Sequence, residues 1–365
     1  MKNNEPKGTQ ATIVDVARAA GVSRATAARV LGDYGYAGTE ARQRVVDAAK
    51  RLAYQPNLLA RSMKTGRSKM IGVVVADIEN LYFGRAIRAI TDTARAKGFG
   101  VVLATTDEDI GLEREAVRVL LANRVDGLIV SPTSSIEVDH LIGARDSGCP
   151  FVLLDRRVPV LNADTFAVDN FRATHQAVSS LISHGHRRIA LVSNAPSHGE
   201  QQYLISSVRE RIDGYRAALH DAEIQIDPKL VVLGGWNTEN LTHQLRHLCQ
   251  TANGPTAILA TDSSVGLVVL NVLRELDLSI PDKVSLICFD DADWTTAVIP
   301  ALTVISQPIR DLAKAATENL IARVQGKVSG LGKEILLQAT LVDRGSVSRA
   351  WTEPSVERAS RMVKS

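Results

Sequence analysis

The chain has 365 residues, 45% of them hydrophobic, and a formal charge of +3. That length suits two or three domains with buried cores, and the composition excludes a collagen-like, low-complexity or disordered chain. The charge is unevenly held: residues 1–69 carry +8 and the remainder −5, which predicts a polyanion partner for the amino-terminal part and a different one for the body.

Residues 1–10 are polar and read as disordered, and 10–56 read as one helical module. Thr12 followed by Asp15 has the form of a capping box, and Ile13, Val16 and Ala17 give a short helix one apolar face. Gly21 suits a left-handed turn, and Ser23 suits the cap of a second helix over 24–31. That helix buries Ala27, Val30 and Leu31 and turns Arg24, Ala25, Thr26 and Arg29 outward. A third helix starts at Thr39 and ends before Pro56. A three-helix unit with a short basic second helix suits the DNA major groove. Residues 57–68, NLLARSMKTGRS, allow one short helix over 58–63. Two isolated turns are marginal in water, so this hinge is expected to form only on DNA.

TIVDVARAAGVSRATAARVL (12–31) and YQPNLLARSMKTGRS (54–68) together resemble the headpiece and hinge of the LacI/GalR family of bacterial repressors. Two positions depart from the family pattern: Ala27-Ala28 replaces its usual Val-Ser, and Met63 replaces the hinge leucine. The resemblance implies base readers at Arg24, Ala25, Thr26 and Arg29. Arginine can donate two hydrogen bonds to guanine, and Ala25 can touch a thymine methyl. Thr12, Ser23, Tyr54 and Asn57 are candidates for phosphate contacts. Ala60 belongs to the matched hinge, and Met63 is the candidate minor-groove wedge. Arg29 could instead pair with Asp33, and Met63 could instead make a hinge contact to the body. One headpiece makes too few contacts for useful specificity, so a homodimer on a pseudo-palindromic double-stranded DNA operator is expected. The resemblance directs the dimer surface to 82–97 and 112–123.

From Met70 nine short apolar runs alternate with helical segments, starting at 70–76, 101–106, 127–131, 151–155 and 166–169 and continuing at 188–193, 231–235, 256–262 and 284–291. Alternation of this kind predicts doubly wound parallel sheets. Nine strands over about 220 residues predict two such subdomains, with a boundary near 170. The fold class is thus an all-α helix-turn-helix headpiece plus an α/β core of two parallel-sheet subdomains, periplasmic-binding-protein-like by resemblance. The core is placed at 69–350, with 69–170 plus 306–328 in the first subdomain and 171–303 plus 332–350 in the second. The resemblance implies crossings near 303–307 and 328–334, helix 308–326 on the first subdomain and one strand, 335–342, on the second. Residues 351–365 read as a polar tail.

Ligands of open α/β folds bind beyond the carboxyl ends of parallel strands. Those ends carry Asp77, Tyr82, Phe83, Asp155, Asp169, Thr261, Asp262, Asp290 and Trp294. Carboxylates accept hydrogen bonds from hydroxyls and aromatic rings cover sugar faces, which points to a small-molecule effector such as a sugar, sugar acid or polyol. The resemblance supports Tyr82, Phe83, Asp290 and Trp294, and adds Arg211 from the RIDGY run. Asp169 and Asp262 equally suit helix caps, and Phe83 equally suits the core.

Other signals are weak. His184-Gly185-His186 and the pair His243, His247 lack the remaining ligands of a metal site. No phosphate-cradling glycine loop or catalytic triad motif occurs, so no enzyme activity, metal or cofactor is expected. Cys149, Cys249 and Cys288 form no CxxC pair and read as reduced, buried thiols. With no export signal and no membrane-spanning run, a cytoplasmic regulator is expected; the alternative is a solute-binding protein without DNA specificity.

Overall fold

The computed structural model describes residues 11–32, 35–54, 67–195, 205–234 and 237–350. The expectations for 1–10, for Asp33, for the hinge residues Asn57, Ala60 and Met63, and for the tail 351–365 lie outside the described residues. The chain divides into two compact units, Met1–Lys69 and Met70–Ser365.

Among the described residues the first unit holds three helices, α1 (Ile13–Ala20), α2 (Arg24–Gly32) and α3 (Thr39–Arg51). Thr12 and Asp15 cap α1 reciprocally: the Thr12 N–H donates to Asp15 Oδ2 at 2.9 Å, and the Asp15 N–H to Thr12 Oγ1 at 3.4 Å. Gly21 ends the helix at φ +62°, where a side chain would be strained. The Ser23 hydroxyl accepts the Thr26 N–H at 3.1 Å and starts α2. Val16, Ala17, Ala27, Val30, Val45 and Ala48 close a small core where the three helices meet.

The second unit begins with β1 (Met70–Val75), α4 (Leu81–Ala96), β2 (Gly100–Thr105), α5 (Ile110–Ala122), β3 (Gly127–Val130), α6 (Asp139–Asp146), β4 (Phe151–Leu154) and β5 (Asp164–Val168). The plan then repeats with α7 (Asn170–Ser183), β6 (Ile189–Ser193), α8 (Ser206–Asp221), β7 (Val231–Leu233), α9 (Thr238–Gln250), β8 (Ala257–Ala260), α10 (Ser263–Glu275) and β9 (Ser285–Phe289). The chain ends in α11 (Trp294–Ala297), β10 (Thr303–Ser306), α12 (Ile309–Val324), β11 (Glu334–Leu337) and β12 (Thr340–Val342). Two six-stranded sheets result, ordered β11-β5-β4-β3-β1-β2 and β12-β10-β9-β8-β6-β7. The central apolar runs become strands because helices cover both faces of the sheets there; β3, β4, β8 and β9 are buried throughout, whereas the edge strand β2 is only partly covered.

The chain passes between the sheets at three places. It leaves the first at Asp169 and returns after β10, so that Ile309, Leu312, Ala316 and Leu320 of α12 join Ala86 and Ile90 of α4 in one core. The third passage corrects the sequence reading. Residues 335–342 are not one strand of the second subdomain, and the crossing does not fall at 328–334. β11 pairs in parallel with β5 of the first sheet, whereas β12 pairs antiparallel with β10 of the second. Gln338-Ala339 is the crossing, and Ala339 packs against both cores. Backbone conformation stays extended across it; only the pairing partner changes, which a hydrophobic pattern does not record.

Candidate ligand cleft and DNA-reading surface

On α2, Ser23, Arg24, Ala25 and Arg29 are exposed, while Thr26 is half-buried with its hydroxyl 2.9 Å from that of Ser23. The buried Ala27 and Val30 fix which face is outward. Thr12 is exposed beside its cap, and Tyr54 packs its ring against the three-helix core. The four expected base readers therefore lie on one helix, with Arg24, Ala25 and Arg29 exposed. Arg24 and Arg29 give it its positive charge.

In the core unit, the carboxyl ends of both sheets face one cleft. An outer chamber of about 300 Å³ is walled by Asp77, Asn80, Phe83, Asp107 and Glu108 from one subdomain and by Asn194, Thr238, Asp262 and Ser264 from the other. An inner chamber of about 80 Å³ adjoins it and adds Tyr82, Asp155, Arg156, Ser207, Arg211, Thr261, Asp290 and Gln307. Asp77, Tyr82, Phe83, Asp155, Arg211, Thr261, Asp262 and Asp290 are thus brought together from strand ends and helices far apart in sequence.

Arg211, 7% exposed, is held from three sides. Its Nε donates to Asn170 Oδ1 at 2.8 Å, its Nη1 donates to the Thr261 carbonyl, and its guanidinium lies 4.0 Å from the centre of the Phe289 ring. It sits on α8, which approaches α7 so closely that a Cβ on Gly214 would stand 2.3 Å from the Phe171 carbonyl oxygen. Opposite lies Arg156, whose guanidinium forks onto Glu108 at 2.8 and 2.5 Å and also donates to the Pro132 carbonyl.

Burial pushes the Asp290 carboxyl up to about 6, although Arg211 and the Gln307 amide, which donates to it at 2.7 Å, pull the other way. Asp155 is likewise raised by burial, against the pull of Arg156 and Arg211. Burial first, and then the Asp155 and Asp290 carboxylates, drive the Tyr82 hydroxyl well above its ordinary value. The site is therefore a set of acids and donors held dry beside a cavity.

Two expected ligand residues stand elsewhere. Asp169 caps α7 by accepting the Arg172 N–H at 2.9 Å and lines neither chamber. Trp294 starts α11 and packs on the second subdomain's core, its Cη2 atom 3.5 Å from where a Cβ on Gly266 would sit. Asp262 does both jobs: Oδ1 accepts the Ser264 and Val265 N–H groups while the side chain lines the cavity. Phe83 is likewise both core and wall. Sequence reasoning missed Asp107, Glu108, Asn194, Ser207 and Gln307. All but Ser207 follow strand ends, so the rule that found Asp155 could have found them. Among the described residues no group of three or more metal-ligating side chains occurs, and no helix is long and apolar enough to cross a membrane.

Residues 12–57 match the model of bacterial regulatory proteins of the lacI family, and 178–347 match a periplasmic binding protein-like domain. The regulator PtxS of Pseudomonas putida is 33% identical over 336 residues, spanning 92% of this chain and 95% of that protein. The chain belongs to the LacI family. It is a DNA-binding transcriptional repressor with a ligand-binding core. A probable opine utilization operon repressor of Rhizobium rhizogenes is 73% identical over 181 residues, which are 50% of this chain and 91% of that one. The Lac repressor dimer bound to operator and the anti-inducer ONPF superposes with a TM-score of 0.80 at 26% identity, covering 93% of this chain and all of that one. This LacI-family headpiece and two-sheet core account for the basic amino-terminal charge and the acidic body together.

Proposed function

We propose that this repressor binds a pseudo-palindromic operator as a homodimer and is controlled by a small polyhydroxylated metabolite in the cleft. The observation that carries the effector reading is a set of orphaned polar atoms. Among the described residues, Arg156 Nε, Asn194 Oδ1 and Gln307 Oε1 are buried without a hydrogen-bond partner, and all three belong to residues lining the inner chamber; the Tyr82 hydroxyl beside them has only Asp155. Arg156 Nε stands 3.6 Å from Asp155, beyond hydrogen-bond reach. A buried polar group left unmade costs about 1–3 kcal/mol, and a ligand bearing several hydroxyls could satisfy them together. Sugars, sugar acids and polyols are the first compounds to test. The name of the Rhizobium rhizogenes relative adds opines as a second class.

Dimerisation is supported by exposed apolar side chains on two neighbouring elements: Val102 and Leu103 on the edge strand β2, and Leu112 and Val119 on α5. Effector binding between the subdomains would favour one relative arrangement of them and so change the spacing of the two headpieces, which couples the sites. Whether DNA is then released or gripped follows from which arrangement the effector prefers. Genomic-fragment capture with the full-length chain, followed by footprinting, tests the reading. Protection of a short two-fold site supports it, and uniform salt-sensitive binding with no preferred sequence overturns it.

A further inference from the structure

The two chambers of the cleft differ in charge. Among the described residues, the lining of the outer chamber includes Asp77, Asp107, Glu108 and Asp262 and no lysine, arginine or histidine. Glu108 is neutralised by the fork of Arg156. Asp77 and Asp262 each commit Oδ1 to backbone N–H groups, of Glu79 in one case and of Ser264 and Val265 in the other. Their Oδ2 atoms, and both carboxylate oxygens of Asp107, accept no hydrogen bond from the described residues. No ion pair joins any of the three carboxylates to a cationic side chain among those residues, although burial raises the Asp262 carboxyl and the nearby Arg211 charge pulls it back. The inner chamber adds Asp155 and Asp290 against Arg156 and Arg211, so the described residues of the cleft include six acids and two arginines.

A neutral sugar would leave the exposed Asp77 and Asp107 without a cationic partner in this chamber, and a sugar acid would add another like charge. A bound metal ion would relieve them, but these carboxylates do not converge closely enough to form a metal-binding group. An organic cation reaches further. The buried Gln307 amide oxygen, unpartnered among the described residues and 9% exposed as a residue, marks where the remainder of the ligand would lie.

We propose that the effector is a polyhydroxylated compound carrying a protonated amine. The hydroxylated frame seats among Tyr82, Asp155, Arg211, Asp290 and Gln307, and the amine enters the outer chamber against Asp77, Asp107 and Asp262. This rests on the reading of the cleft as a site for hydroxylated metabolites. Hydrogen bonds to a charged group are roughly twice as strong as neutral ones, so the amine acts as the selecting feature.

The test is calorimetric titration of the full-length chain with matched pairs: glucosamine against glucose, mannosamine against mannose, 1-amino-1-deoxysorbitol against sorbitol and 1-amino-1-deoxymannitol against mannitol, with gluconate as the acid. At least one amine is expected to bind about ten-fold or more tightly than its parent. Raising the pH through the amine's own pKa removes that preference in the unaltered chain. The double substitution Asp77→Asn with Asp107→Asn brings the amine down to the level of its parent. A parent or gluconate that binds as tightly as the best amine overturns the inference and leaves the hydroxylated-metabolite reading standing. Heat from no member of any pair overturns both.

Discussion

Asp155 and Asp290 stand at matching places in the two halves of the core. Each directly follows the fourth strand of its sheet with φ at +70°. The Asp155 N–H donates to the Phe166 carbonyl of β5 at 2.8 Å, and the Asp290 N–H to the Ile305 carbonyl of β10 at 3.0 Å. The left-handed turn costs a non-glycine residue about 1–2 kcal/mol, and it aims both carboxyl groups into the cleft rather than along the strand. Aspartate, which tolerates that conformation better than most residues, joins backbone need and chemical need at one position.

Asp290→Asn keeps the side-chain shape and removes a buried charge. Because the folded-state value of about 6 lies above the ordinary 3.8, the wild-type carboxyl costs the unliganded fold nothing at low pH. The cost grows as pH rises through that window, reaching at most about 3 kcal/mol. Urea unfolding should therefore show the variant gaining stability relative to wild type from pH 4 to pH 6 and no further above it. A pH-independent difference would mean the carboxyl is solvated.

Gly214→Ala should destabilise the core by about 1–3 kcal/mol, the usual cost of overpacking. The added methyl would meet the Phe171 carbonyl oxygen and the Thr174 side chain, pushing α8 from α7. Arg211 rides on α8, so effector affinity should fall in the same variant. An unchanged melting temperature would show that the two helices are not in the described contact.

Arg85→Ala probes cleft closure. Arg85 on α4 reaches across the cleft to the Asp291 carbonyl at 2.7 Å and to Asp293 Oδ1 at 2.8 Å. Asp293 is almost fully exposed, so the pair adds no more than about 1 kcal/mol. Effector affinity should weaken up to about five-fold, with headpiece binding to non-specific DNA unaffected. Tighter effector binding in the variant would contradict a clasp.

Arg24→Ala and Arg29→Ala should each cost roughly 1–3 kcal/mol of operator discrimination, the worth of a bidentate arginine–guanine contact. Fluorescence anisotropy on operator and scrambled duplexes separates this from a uniform loss. Equal loss on both duplexes would reassign that arginine to phosphate.

Much of this was legible from residues alone because it rests on local physics. The Thr12–Asp15 box, the Ser23 cap and the Gly21 turn involve atoms within a few residues of each other, so spacing suffices to predict them. The central apolar runs became strands because a sheet covered on both faces demands continuous hydrophobicity. The carboxyl-end rule placed Asp77, Asp155, Asp262 and Asp290 at the cleft, since parallel strands deliver those ends to one side.

Only the tertiary structure decided which partners such residues meet. The sequence reading made 335–342 one strand; the fold splits it between two sheets, because each half completes a different edge while the backbone stays extended. Asp169 follows a strand as Asp155 does, yet it caps a helix instead of facing the cavity. Arg156 meets Glu108 across 48 residues of chain, and Gln307 meets Asp290 across 17. Such pairings carry no periodicity, because what brings them together is the packing of strands and helices whose order along the chain differs from their order in space.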